Sequence, residues 1–270
     1  MAAESCPNDD VKTPLPTPSH PLLDRLWLGY LADVPFARTF CDLHAQRDPV
    51  PFENDHIALR TAALTGEGSG IAVVSTVFER LGWRTRDHYV FPDVHLRAIY
   101  MAQPGLPRVF ISEIDPAALP ADVQQALSTL TTTPAPDDVD ALAGWFAGPA
   151  PPRRADVEAA ARVSQYAAWL LCFGRRVNHF TAAVDDVAAW QARLSEAGVP
   201  MKAAIEGDVI AAGGSGLRQT ATAAALLPVT FADGSVEQQP YAYFEIAERQ
   251  GGFDGFLAQQ ARQLFDQTQR

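Results

Sequence analysis

Only three cysteines occur in 270 residues, and Cys6, Cys41 and Cys172 lie far apart with no CxxC pair. That spacing excludes a zinc knuckle and a disulfide framework, and it leads us to expect a reducing, cytoplasmic setting. Basic residues are scarce too, with 21 Lys and Arg against 32 Asp and Glu and a formal net charge of −11. A nucleic-acid or anionic-membrane surface needs clustered cations to displace counterions, so neither partner is expected. A small anionic substrate stays open, because a site needs only one local cation. No apolar run is long enough to span a bilayer, and MAAESCPNDDVKTPLPTPSH at the start has no basic segment followed by an apolar one. The expectation is a soluble, unprocessed chain. What is abundant is apolar side chain, 47% of the total, enough for a sizeable core in one large domain or two tightly joined small ones.

Residues 1–20 are polar and Pro-rich and read as a flexible arm, and 21–270 read as a single catalytic domain. Leu22, Leu23, Leu26, Leu31, Val34, Phe40 and Leu43 recur at helical spacing, which predicts one or two helices. A first module over about 47–115 opens on the strand NDHIALRT, continues with the helix-like GIAVVSTVFERLGW, and closes on the strands VHLRAIYM and RVFISEI. Residues from about 116 to 172 form a helical insertion broken at TPAPDD and GPAPPRR. The earlier order then returns over about 175–250. The strand RVNHFTAAV precedes the helix DDVAAWQARLSEAGV, with Asp185 as N-cap and Gly198 as stop, then strands near GLRQTATAA, LLPVTFADG and QPYAYFEIAER. A C-terminal amphipathic helix is expected over about 252–268. The fold class is therefore α+β, two paired βαβββ modules with added helices, and each opening strand carries a histidine directly after Asp55 or Asn178.

Side chains alternate across a strand, so His56, Ala58 and Arg60 share one face, and His179 shares its face with Thr181. In YAYFEIAER, Tyr241, Tyr243 and Glu245 fall together, while Glu248 has the opposite parity. Two imidazoles and one carboxylate on one face of a metal make the facial triad of non-haem Fe(II) enzymes, which leaves positions open for substrate and oxygen. Each residue has a plainer reading. A lone His56 suits a satisfied core histidine, Glu245 a strand-edge partner of Arg249, Arg60 a structural ion pair, and the tyrosines simple packing. His88 and His95 read as surface or loop residues. Glu113 in FISEI is the rival ligand, because in the first module it sits where Glu245 sits in the second.

Taken in order, NDHIALRT, VNHFT, GLRQTATAA followed by VTFADG, and YFEIAER resemble the 2-oxoadipate dioxygenase/decarboxylase family, also called hydroxyglutarate synthases. The likeness runs from about residue 20 onward. It implies the vicinal oxygen chelate architecture, related to 4-hydroxyphenylpyruvate dioxygenase, with a curved half-barrel sheet around a metal site. It also implies Fe(II) held by His56, His179 and Glu245, Arg60 as the catalytic anchor of the substrate carboxylate, and Gln219 as a polar substrate contact, with Tyr243 lining the same pocket. The partners implied are a small 2-oxo acid and O2, 2-oxoadipate giving 2-hydroxyglutarate with release of CO2. Ala221 stands where serine is expected in the family, and the chain is compact beside longer members. Other readings stay open: an extradiol ring-cleaving dioxygenase, a glyoxalase-like enzyme that recruits Glu113, or a metal-free small-molecule-binding protein. The oligomeric state is not legible.

Overall fold

Two prolines set the first two helices, since each lacks the N–H that a helix start leaves unpaired and each has a helical φ built in. In the computed structural model, which describes residues 15–64, 70–130, 133–208 and 216–256, Pro21 opens α1 (Pro21–Asp33) and Pro35 opens α2 (Pro35–Arg47). His20 caps α1 by accepting the Leu22 N–H on its Nδ1. Ahead of them Thr17 bridges to Glu53, so the expected arm ends before Thr17.

The first module follows as β1 (Asn54–Ala62), α3 (Gly70–Arg80), β2 (Arg84–Phe91), β3 (Leu96–Ala102) and β4 (Arg108–Ile114). Four helices come next: α4 (Ala121–Leu127), α5 (Val139–Trp145), α6 (Arg154–Ala161) and α7 (Gln165–Phe173). The second module is β5 (Val177–Ala183), α8 (Val187–Glu196), β6 (Leu217–Ala221), β7 (Leu226–Thr230), β8 (Val236–Pro240) and β9 (Glu245–Arg249). The cap of α8 is Asp186, which accepts from the Ala189 N–H at 3.0 Å, and Asp185 instead pairs with Arg47. Of the expected C-terminal helix, residues 252–256 are turn and coil, and the remainder lies outside the described residues.

Seven strands form one curled sheet in the order β2-β3-β4-β1-β5-β9-β6. In each module the first strand runs parallel to the last, β1 with β4 and β5 with β9, and the two first strands meet antiparallel. LLPVTFADG does not join this sheet. It pairs with 236–240 as a separate hairpin, and the outer position beside β6 is taken by bridges from Met201 to Thr222 and Glu206 to Gln219. Pro228 in β7 has no N–H for a ladder on both sides, which suits it to a two-stranded ribbon. Tyr241–Phe244 likewise precede β9 as irregular chain.

On the convex side α1 packs on β5, α8 on β6 and β9, and α3 on β1 and β4, with α2 contributing Phe40. Trp27 meets Phe52 and Phe180 edge-on at 5.3 and 5.1 Å, and Phe40 meets Trp190 and Phe244 at 4.8 and 4.9 Å. Burying each such ring contributes about 1.5–3 kcal/mol, so the convex face is the rigid backing of the sheet. The concave face carries the polar residues, and α7 closes one end of it. There Tyr166 accepts the Thr61 N–H on its hydroxyl, and Trp169 donates to the Tyr241 carbonyl.

Candidate metal centre

Pairing register puts His56 beside Thr181, and Thr181 beside Glu245, on the adjacent strands β1, β5 and β9. His179 is one pleat along β5 on the same face. All four side chains are buried. His56 Nε2 lies 3.3 Å from His179 Nε2 and 3.2 Å from Glu245 Oε1, and one ligating atom from each of the three residues falls within 4.8 Å of the others. Two imidazole nitrogens bonded at right angles to one ion at ~2.1 Å would stand about 3 Å apart. The donor set therefore fits a divalent cation. The second carboxylate oxygen, Glu245 Oε2, is buried without a hydrogen-bond partner, which agrees with a ligand role.

Both rings are held from behind. His56 Nδ1 is 2.7 Å from Asp55 Oδ1, and His179 Nδ1 is 3.1 Å from Asn178 Oδ1, so each Nε2 is turned to the concave face. Asp55 is itself gripped by Arg249, at 2.6 and 3.0 Å to its two oxygens. Arg249 thus serves Asp55, not Glu245. Burial raises the Asp55 carboxyl, but the His56 hydrogen bond and Arg249 outweigh it and hold the group below the usual carboxylate range. Burial lowers His56, yet its bonds to Asp55 and Glu245 bring it above the usual imidazole value. For His179, burial is joined by His56, Arg60 and Lys202, which push it well down and keep it neutral with a lone pair to offer.

Glu113 is elsewhere, which corrects its proposed equivalence to Glu245. Ala58, two residues after His56, pairs with Phe110, just as Thr181, two after His179, pairs with Glu245. Phe110 is the first module's counterpart of Glu245, and Glu113 matches Glu248. Both of these glutamates face the convex side and do the same work. Glu113 pairs with Arg97 across the ladder and accepts the Ile71 N–H at the start of α3. Glu248 pairs with Arg218 across its ladder and accepts the Val187 N–H at the start of α8. An acidic side chain there also complements the helix dipole. His88 and His95 are exposed and apart from the cluster.

The remaining candidates surround the triad. Arg60 is 3% exposed and lies over the Tyr166 and Trp169 rings at 5.0 and 5.1 Å, and its Nη1 has no hydrogen-bond partner. Burial depresses its pKa, offset by Tyr243 and Tyr166 nearby, but a guanidinium stays charged. Tyr243 stacks on His179 at 4.6 Å, and burial beside Glu245 keeps its hydroxyl protonated. Neither that hydroxyl nor Gln219 Oε1 has a partner. Gln219 pairs with Ala247, two residues beyond Glu245, and so faces the same way. Tyr241 is structural: its hydroxyl donates to the Val177 carbonyl, and its ring lies against Trp169 and Phe173. Sequence reasoning gave Thr181 no role, although its hydroxyl is 3.0 Å from His56 Nε2 and donates to Glu245 at 3.1 Å. Asp55 and Asn178 were visible only as the residues preceding each histidine. Phe256, legible only as part of the apolar side of the expected C-terminal helix, stands edge-on to His56 at 4.8 Å.

Paired βαβββ modules sharing one curled sheet, with a His, His, Glu group on its concave face, define the vicinal oxygen chelate class. Solved structures agree on the fold. The hydroxyglutarate synthase of Oryza sativa, crystallised with 2-oxoadipate, superposes with a TM-score of 0.80 over 99% of this chain and 98% of that one, at 24% identity. A protein from Ralstonia eutropha JMP134 described as of the glyoxalase superfamily gives 0.73 over 84% of this chain and 81% of that one, also at 24% identity. The chain belongs to the 2-oxoadipate dioxygenase/decarboxylase family, whose sequence model matches residues 121–270. The 2-oxoadipate dioxygenase/decarboxylase of the rice chloroplast or amyloplast is 29% identical over an alignment 243 residues long, and the match covers 82% of this chain but 66% of that relative, just under two thirds of its length.

Proposed function

We propose that this chain is an Fe(II)-dependent dioxygenase and decarboxylase of a 2-oxo acid, converting 2-oxoadipate and O2 to 2-hydroxyglutarate and CO2. One observation carries the reading. Three atoms able to ligate a cation share a buried concave face with three polar groups, Arg60 Nη1, Gln219 Oε1 and Tyr243 Oη, that have no hydrogen-bond partner among the described residues. Buried polar groups are nearly always paired, so a cluster of exceptions marks where a polar ligand belongs.

His56, His179 and Glu245 would hold the iron, which supplies open coordination positions for a chelating 2-oxo acid and for O2. Asp55 and Asn178 fix the ring orientations, so that both Nε2 atoms face inward before any metal arrives. Arg60 binds the substrate's far carboxylate through a planar, two-pronged contact. Tyr243 donates its proton in a hydrogen bond to a substrate oxygen, and Gln219 accepts from or donates to the polar end of the chain. Burial of the whole face excludes water from the reacting acid. Glu113, engaged on the opposite face, is not a fourth ligand, and the group found among the described residues is His56, His179 and Glu245 alone, which favours this reading over a glyoxalase-like site.

The test is anaerobic loading with Fe(II), then oxygen uptake over a panel of 2-oxo acids and catechols. Uptake with 2-oxoadipate and one CO2 per O2 is expected. Uptake with catechols alone would make the protein an extradiol dioxygenase, and failure to retain any divalent metal would make it a binding protein. His56→Ala, His179→Ala and Glu245→Ala should each lose the metal, while Glu248→Gln keeps it.

A further inference from the structure

Beyond Arg60, at the end of β1, the protein holds a partly open cavity of about 230 Å³. Two of its lining residues are charged, Arg60 on the inside and Arg175 just after α7, and no acidic side chain lines it among the described residues. Trp145 and Leu170 supply apolar wall, and Gly144 and Gly148 leave it open. Arg175 is set in place: its guanidinium lies 4.0 Å over the Trp145 ring, and its Nε donates to the Trp145 carbonyl at 3.1 Å. In a chain of net charge −11, this is a recess whose ionised lining groups, among the described residues, are both cations.

We propose that this cavity is a second carboxylate site, the vestibule through which a dicarboxylic acid reaches Arg60, with Arg175 as its outer anion contact. The proposal rests on reading the metal centre as one that takes a 2-oxo acid. A dianion is repelled by the protein as a whole, so it needs a local cationic mouth. Low-dielectric walls around like charges focus the field and raise on-rates by about 10- to 1,000-fold. The volume is below the roughly 300–1,000 Å³ of sites for drug-sized ligands and suits a short unbranched acid. Its apolar wall fits the methylenes between two carboxylates. Arg60 then receives what Arg175 selects, and the two guanidiniums together favour a dicarboxylic over a monocarboxylic acid.

Two variants probe the cavity without touching the triad. Arg175→Gln removes the outer charge. Gly144→Phe fills the space, since a Cβ at Gly144 meets no atom within 4 Å and the position is in a helix, where phenylalanine has a higher propensity than glycine. Binding is read by calorimetry on the metal-free protein with adipate, which has no 2-oxo group, against hexanoate. Adipate should bind at least about tenfold more tightly than hexanoate, with an affinity that falls with salt, and both variants should lower it by about tenfold, while Arg175→Lys retains most of it. On the iron-loaded enzyme, both variants should lower kcat/KM for 2-oxoadipate by about tenfold through KM, with kcat and iron content little changed. Equal binding of adipate and hexanoate, no adipate binding by the native protein, or unaltered binding in both Arg175→Gln and Gly144→Phe would overturn the vestibule. If adipate binds as expected but no 2-oxo acid is oxidised, the carboxylate site stands and the dioxygenase reading falls. If 2-oxoadipate is oxidised equally by all three proteins, the reverse holds.

Discussion

Replacing Arg60 by methionine is expected to make the metal-free protein more stable and the enzyme much slower. The guanidinium is 3% exposed, and its Nη1 makes no hydrogen bond. What compensates it is two aromatic faces, at 5.0 and 5.1 Å. Each such contact contributes about 2 kcal/mol when desolvated, whereas withdrawing the ion from water costs several and leaves Nη1 without a hydrogen bond among the described residues. Methionine keeps the length of the stem and the ring contacts of its methylenes. Replacing buried ions by apolar residues of similar volume has given roughly 1–4 kcal/mol. A gain of about 2 kcal/mol would raise Tm by roughly 4–8 °C in a domain of this size. For turnover the sign reverses, because the substrate carboxylate loses a charged partner in a closed site. That costs about 2–4 kcal/mol, or roughly 30- to 1,000-fold in kcat/KM. Calorimetry of the metal-free proteins, iron stoichiometry and oxygen uptake with 2-oxoadipate, on the same preparations, read all three quantities. A lower Tm with normal activity per iron would refute the argument and make Arg60 a structural cation. Arg60→Lys should hold its iron and still lose most turnover, since an ammonium cannot make the planar double contact.

Glu113→Gln should leave metal content and oxygen uptake unchanged while costing about 1–2 kcal/mol in stability, because it weakens the contacts to Arg97 and to the Ile71 N–H. Metal loss on that change would restore a four-ligand site. Asp55→Asn should weaken metal affinity about 10- to 100-fold, as removing the charged partner of a ligating histidine does, and a competition titration against a chelator measures it. Unchanged affinity there would mean that Asp55 serves only Arg249.

Alternation along single strands was enough to place His56 with Arg60, to place His179 with Thr181, and to set Glu245 apart from Glu248. Those relations are local, since a pleat sends neighbours to opposite faces whatever the strand is paired with. The match between NDHIALRT and VNHFT likewise exposed the duplication, because each module repeats its strand and helix pattern in sequence order. Other relations depend on register between strands, and no single strand encodes that. Glu113 and Glu245 look equivalent by eye, and only the pairing of Ala58 with Phe110 and of Thr181 with Glu245 shows that they are not. LLPVTFADG reads as a sheet strand by composition, yet residues 201–206 took the place beside β6.

By itself, then, the sequence determined which face of each strand carries chemistry and which residue types stand on it, because side-chain direction follows from the backbone period alone. The tertiary structure decided which of those faces meet. It brought imidazoles 123 residues apart to 3.3 Å, and it gave Asp55 a guanidinium from 194 residues away. It also surrounded Arg60 with two rings from α7 instead of a carboxylate. Long-range contacts of this kind arise only when the sheet curls and the helices close over it, since the burial that fixes them is shared among all the strands and helices at once.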